Sequence, residues 1–243
     1  MLAVERPRTL PAPILAAVRA LAAGEPVLIF DAAEREGETD LVILSERATP
    51  ELVRLQRRDA GGLICTAISD ELRARLGLPF YSAMLELAAP TYPTLHGLKV
   101  ERLRYDTRSP FGIHVHHRTN YTGIPDRDRA TAIGALGELA GDAPRLTDEE
   151  LRARFVGEFG SPGHLPIIYA APGLLGERKG HTELVISLAR MGGLSESVTV
   201  CEMLGDSGGP RDPEAARRYA EEHGFVFLEG RTVIEAWRAW SSA

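Results

Sequence analysis

Residues 31–40 read DAAEREGETD, placing five carboxylates, one arginine and one glycine within ten positions. If the stretch is extended, Glu36, Glu38 and Asp40 share one face, because strand side chains alternate. Carboxylates held that close repel one another unless a cation sits among them. An acidic run is ordinarily a solvated turn. This one is pinned between two apolar runs, residues 27–30 and 41–44, which is how open α/β sheets deliver ligand-binding groups.

A second group is Arg178-Lys179-Gly180-His181-Thr182-Glu183, followed at helical spacing by Leu184, Leu188 and Met191. A helix beginning here presents free backbone N–H groups and a positive dipole end. Arg178, Lys179 and the Thr182 hydroxyl would complete a pocket for a phosphate monoester. His181 adds a nitrogen ligand, and one histidine with one carboxylate such as Glu36 leaves a hard divalent ion open positions for substrate oxygens. By itself the motif fits an ordinary capped helix with a surface histidine equally well.

Two isolated groups stand out, of which His164 could act as an acid or base near neutral pH. His164 follows the rigid Ser161-Pro162-Gly163 turn ahead of an apolar strand, and Glu202 terminates the buried run Val198-Thr199-Val200-Cys201. A carboxylate there is costly unless paired, and the sequence supplies no obvious partner. His114, His116 and His117 include an HxH spacing but lack further local ligands, so they read as strand-surface residues.

The elements that must position these groups follow from periodicity. Ile14, Ala17, Val18 and Leu21 predict a helix ended by Gly24, and residues 27–30 a buried strand. Thr49-Pro50 predicts a helix running to about Arg57, Gly61-Gly62 a break before a strand at 63–67, and Ser69 a helix cap. An antiparallel strand is expected near 112–117 within a loosely patterned region, 80–125. Helical spacing resumes at 128–139, and Thr147-Asp148-Glu149-Glu150 has the capping-box pattern. Strands are expected at 165–170, 197–201 and 225–228, with the last helix near 213–223. This pattern predicts an α/β chain of the α+β type: one domain, residues 1–243, with a mixed parallel and antiparallel sheet flanked by helices.

Composition narrows the function. The 243 residues are 44% apolar and carry a formal charge of −6, which supports a sizeable core and gives no basic run for nucleic acid. Cys65 and Cys201 lack CxxC spacing, so a reduced, cytoplasmic setting is expected. No apolar stretch suits a membrane span, and the first residues do not resemble a signal peptide.

Six segments, in order, then carry a resemblance: Arg35-Glu36-Gly37-Glu38-Thr39-Asp40, Gly62-Leu63-Ile64-Cys65, Thr122-Gly123-Ile124 with Asp128-Arg129, Ser161-Pro162-Gly163-His164, Gly180-His181-Thr182-Glu183 and Cys201-Glu202-Met203-Leu204. Together they resemble the 3,4-dihydroxy-2-butanone 4-phosphate synthases of riboflavin biosynthesis, in the single-function, archaeal-like form. The resemblance implies conversion of D-ribulose 5-phosphate to formate and L-3,4-dihydroxy-2-butanone 4-phosphate, with Mg2+ or Mn2+ and no organic cofactor. It implies Glu36 and His181 as metal ligands, and Arg35, Glu36, Asp40, Arg178, Lys179, Gly180, His181 and Thr182 around the substrate, with Arg178 and Thr182 near its phosphate. Glu38, His164 and Glu202 become proton-transfer groups, and Cys65 lines the pocket. It also implies a homodimer with active sites at the subunit interface. Pro125 departs from the family pattern, where a small hydroxyl residue is expected. The same parts would serve another metal-dependent phosphosugar aldolase or isomerase, or a phosphosugar-binding protein without chemistry.

Overall fold

The computed structural model describes residues 9–98, 103, 106 and 109–242. The first eight residues, read above as lacking a signal peptide, lie outside the described residues, as does part of the loosely patterned region between 99 and 108. Seven strands form a single sheet: β1 (Val27–Phe30), β2 (Thr39–Leu44), β3 (Cys65–Ile68), β4 (Phe111–His117), β5 (Phe159–Tyr169), β6 (Ser197–Glu202) and β7 (Val226–Glu229). Their order is β4-β5-β3-β6-β2-β1-β7. The β1–β7 and β3–β5 pairs are parallel, and the other neighbours are antiparallel. The mixed sheet is as expected.

Helices cover both faces: α1 (Ala12–Ala23), α2 (Pro50–Leu55), α3 (Asp70–Leu76), α4 (Tyr81–Ala88), α5 (Thr94–Gly97), α6 (Asp126–Asp142), α7 (Asp148–Glu158), α8 (His181–Met191), α9 (Pro213–His223) and α10 (Gly230–Ser241). Strand alternation divides the core in two. Val27, Ile29, Val42, Leu44, Ala67 and Val200 face α1, α8 and α10, whereas Leu28, Leu41, Ile43, Ile68 and Ile167 face α2, α3, α6, α7 and α9. Parity therefore sends Asp40 on β2, Cys65 on β3 and Glu202 on β6 toward the face that carries α8.

Local signals account for most helix ends. Gly24 closes α1 at φ 81°, the Ser69 hydroxyl accepts from Leu72 N, and Thr147 and Glu150 form the predicted capping box. Pro125 is simply the residue before α6.

Four features differ from the sequence expectation. The α2 helix stops at Leu55 and continues as a π-helical turn, Gln56–Ala60, in which fully buried Gln56 donates Nε2 to Leu41 O at 3.1 Å. Strand β3 starts at Cys65, because Gly62 and Leu63 are tied to Glu202 instead. Residues 161–164 are not a turn before a strand but a bulge within β5: on β4, Val115 pairs Leu165 while His116 pairs Gly160. Finally, α10 follows β7 without a gap, so no turn residue announces it. Its Gly230 lies against β1, where a Cβ would stand 2.6 Å from Asp31 O.

Candidate active site

Helix α8 is buried along its whole length except at Arg190, so its first turn carries His181, Thr182 and Glu183 into the interior. Buried polar groups must find partners: Glu183 finds them in its own helix start and the segment before it, and His181 in the loop after β1. Gly180 is the N-cap, and Glu183 at N3 accepts from Gly180 N at 3.2 Å and from Ala171 N at 2.8 Å. Arg178 Nη1 reaches Glu183 Oε2 at 2.5 Å. His181 Nδ1 stands 3.1 Å from Glu36 Oε2, and its Nε2 stands 3.6 Å from Asp40 Oδ1. The latter two atoms are buried and have no hydrogen-bond partner.

Asp31 organises the opposite side. Its carboxylate accepts from Glu36 N and Glu38 N, both at 3.1 Å, and from Arg35 Nη1 at 3.2 Å. The loop is thus a folded turn, with Gly37 at φ 70°, and strand structure begins only at Thr39. Arg35 also meets Glu36 at 3.0 Å and Asp106 at 2.9 Å.

The outcome is a cavity of about 280 Å³ at the β2 start, the β6 end and the α8 N-terminus, lined by Arg35, Glu36, Glu38, Asp40, Cys65, Arg178, His181, Thr182 and Glu202, with Phe111, Ile168 and Val200 as apolar walls. Nine of the residues singled out from sequence converge here. Gly180 lies beneath the cationic side, where a Cβ would stand 2.3 Å from Arg178 Nη1 and 2.8 Å from Arg35 Nη2. Lys179 and His164 stand apart from the cavity: Lys179 is exposed, and His164 is exposed on the β5 bulge beside Gly123. The histidines of β4 stay at the strand surface, His116 Nδ1 meeting Pro162 O and His117 Nδ1 meeting Thr119 Oγ1.

Electrostatics separates the acids. Burial opposes ionisation of Glu36, but the His181 hydrogen bond and the Arg35 charge outweigh it and hold its pKa below the ordinary value. Glu38 is raised, by burial first and then by the charges of Glu36 and Glu202. Burial pushes Asp40 up to about 7. His181 is raised to about 9, because Asp40 and the Glu36 hydrogen bond overcome its own burial. Cys65 is raised by burial and the charges of Glu202 and Asp40, which keeps it a neutral thiol in the wall. Glu202 has the partner that the sequence did not reveal: its Oε2 accepts from Leu63 N at 2.8 Å.

Asp31, Glu36 and His181 each offer a donor atom within 4.8 Å of the others, the one such group among the described residues. Two oxygens and a nitrogen suit a hard divalent ion. Asp31 is already engaged by two N–H groups and Arg35, so of the three Glu36 and His181 are the residues that could hold such an ion directly. Sequence reasoning missed Asp31, Asp106 and Glu183. Only Glu183 had a local signal, its N3 position after a helix start.

A profile of the 3,4-dihydroxy-2-butanone 4-phosphate synthases matches residues 15–236. The chain belongs to the 3,4-dihydroxy-2-butanone 4-phosphate synthase family. Among this family's curated members, the synthase of Methanosarcina mazei is 44% identical over 93% of this chain and 91% of its own length. That of Methanothermobacter thermautotrophicus is 41% identical over 93% and 96%. The riboflavin biosynthesis protein RibBA of Mycolicibacterium gilvum is 32% identical, and the match spans only 46% of that longer protein. Among solved structures, the Candida albicans synthase superposes with a TM-score of 0.68 at 26% identity, covering 93% of this chain and 98% of that one. A synthase solved in complex with two magnesium ions has a TM-score of 0.69 at 23% identity over 90% and 93%, which shows the shared fold. Membership makes the chain an enzyme of riboflavin biosynthesis, a lyase.

Proposed function

We propose that this cavity binds D-ribulose 5-phosphate together with magnesium or manganese and converts it to L-3,4-dihydroxy-2-butanone 4-phosphate and formate, without an organic cofactor. One observation carries the reading. The Glu36–His181 pair and the Arg35–Arg178 pair occupy adjacent walls of one small cavity at a helix N-terminus, so a single molecule can present a phosphate to one and hydroxyl or carbonyl oxygens to the other.

The reaction balances without an outside reactant: enolisation and loss of water are followed by a carbon-skeleton shift and by addition of water that releases formate. A divalent ion held by Glu36 and His181 would supply Lewis acidity toward adjacent substrate oxygens. The chain's own residues do the rest. Arg178 and Thr182 hold the phosphate with Arg35 beside them, Asp40 orients the sugar, and the apolar walls limit water. Glu202, fixed by Leu63 N, and Glu38, whose burial and acidic neighbours favour its protonated form, carry protons to and from the bound chain.

His164 fits the same reaction if the enzyme is a homodimer with active sites at the interface. It lies on an exposed bulge of its own subunit, and a second copy would supply it. Both cysteines are free, in keeping with a cytoplasmic setting, and among the described residues no helix is long and apolar enough to cross a membrane.

The test is metal dependence combined with variants. Turnover should stop in excess chelator and return with magnesium or manganese, and Glu36→Gln and His181→Ala should each fold yet show almost no turnover. Full activity in chelator would defeat the metal assignment. Near-normal activity of both variants would defeat the site.

A further inference from the structure

The cationic wall is bridged by a carboxylate from a distant part of the chain. Asp106 lies between α5 and β4, and its Oδ2 accepts from Arg35 Nη2 at 2.9 Å and from Arg178 Nε at 2.5 Å. One oxygen shared between two guanidinium groups is the arrangement that a phosphate oxygen would adopt there. The side chain of Asp106 is only 8% exposed, so its charge acts on the two arginines at low screening.

We infer that Asp106 is an internal counter-anion of the substrate site, holding Arg35 and Arg178 where the substrate's phosphate binds and competing with that phosphate for them. The inference rests on the proposed placement of the phosphate. Two consequences follow from charge alone. In the substrate-free protein Asp106 adds one shared negative charge between two cations that otherwise pair separately, Arg35 with Asp31 and Glu36 and Arg178 with Glu183. A ligand displaces it only if it brings more charge to the same donors, so the site selects a phosphate dianion over a neutral sugar or a carboxylate.

The experiment is calorimetric titration of inorganic phosphate into the full-length protein in magnesium buffer, comparing wild type with Arg178→Ala, Asp106→Asn and Asp106→Ser. Arg178→Ala should lose phosphate binding. Asp106→Asn and Asp106→Ser should both bind phosphate about tenfold more tightly, the scale of removing one like charge beside a dianion, and the gain should shrink with added salt. The KM for ribulose 5-phosphate should fall in the same two variants. Unchanged or weaker phosphate binding in both Asp106 variants, with wild type still binding better than Arg178→Ala, would overturn the inference and make Asp106 a support for the arginines. Equal binding by wild type and Arg178→Ala would overturn the phosphate placement itself.

Discussion

Glu202 and Gly62 form a unit in which side chain and backbone leave no slack. A Cβ on Gly62 would stand 2.4 Å from Glu202 Oε2 and 2.6 Å from its carbonyl oxygen. Glu202→Gln keeps an oxygen for Leu63 N, so substrate binding should persist while kcat falls by more than about a hundredfold, the usual scale for an acid–base group; near-normal kcat would make Glu202 structural. Gly62→Ala should also lower kcat, by pushing that carboxylate away. The pair His181 and Asp40 ties stability to pH. In the metal-free protein both are raised, from 6.5 to about 9 and from 3.8 to about 7. A raised folded-state value means stability that is present below the unfolded value and lost as pH rises through the folded one. Metal-free protein should therefore melt at lower temperature near pH 9 than near pH 6.5, and magnesium, which needs the neutral imidazole, should raise the melting temperature more at the higher pH. The same melting temperature at both values would contradict the coupling. At this scale the acids and His181 were legible from sequence, since residue type and a flanking strand or helix start suffice. Asp31 and Asp106 were not: one resembles any acid in a turn, and the other meets its partners from about seventy positions away.

The decisive element is α8, whose first turn is the floor of the site. Gly180→Ala would place a methyl against both guanidinium groups, so KM for ribulose 5-phosphate should rise by about tenfold, one lost charged hydrogen bond or so, with a smaller change in kcat. An unchanged KM would show that the arginines can move without consequence. The contact of α6 with the 3-10 turn Ser45–Arg47 is tighter still, a Cβ on Gly137 standing 2.1 Å from Glu46 N. Gly137→Ala should destabilise the fold by about 1–3 kcal/mol, a usual range for overpacking, read by denaturant unfolding. Elements with a local cap were predictable: α1 from Gly24, α3 from Ser69 and α7 from its capping box. The π-helical turn, the β5 bulge and α10 were not, because each is set by a contact across the sheet: Gln56 to Leu41, Ser161 Oγ to His114 O, and Gly230 to Asp31.

At the scale of the whole molecule, one chain brings the acidic and the arginine walls of the cavity together but leaves His164 outside. If two copies complete each other, inactive His164→Ala and inactive Glu202→Gln proteins, mixed and allowed to exchange subunits, should recover about a quarter of wild-type activity, because about half the dimers are mixed and each holds one intact site. No recovery despite exchange would place His164 outside catalysis or within its own subunit's site.

The most direct test of the joined acid and arginine walls is the stoichiometry of formate. With magnesium, each ribulose 5-phosphate consumed should yield one formate and one four-carbon phosphate, and Glu36→Gln or Arg178→Ala should abolish both products together. Consumption of ribulose 5-phosphate to another pentose phosphate with no formate would contradict the account.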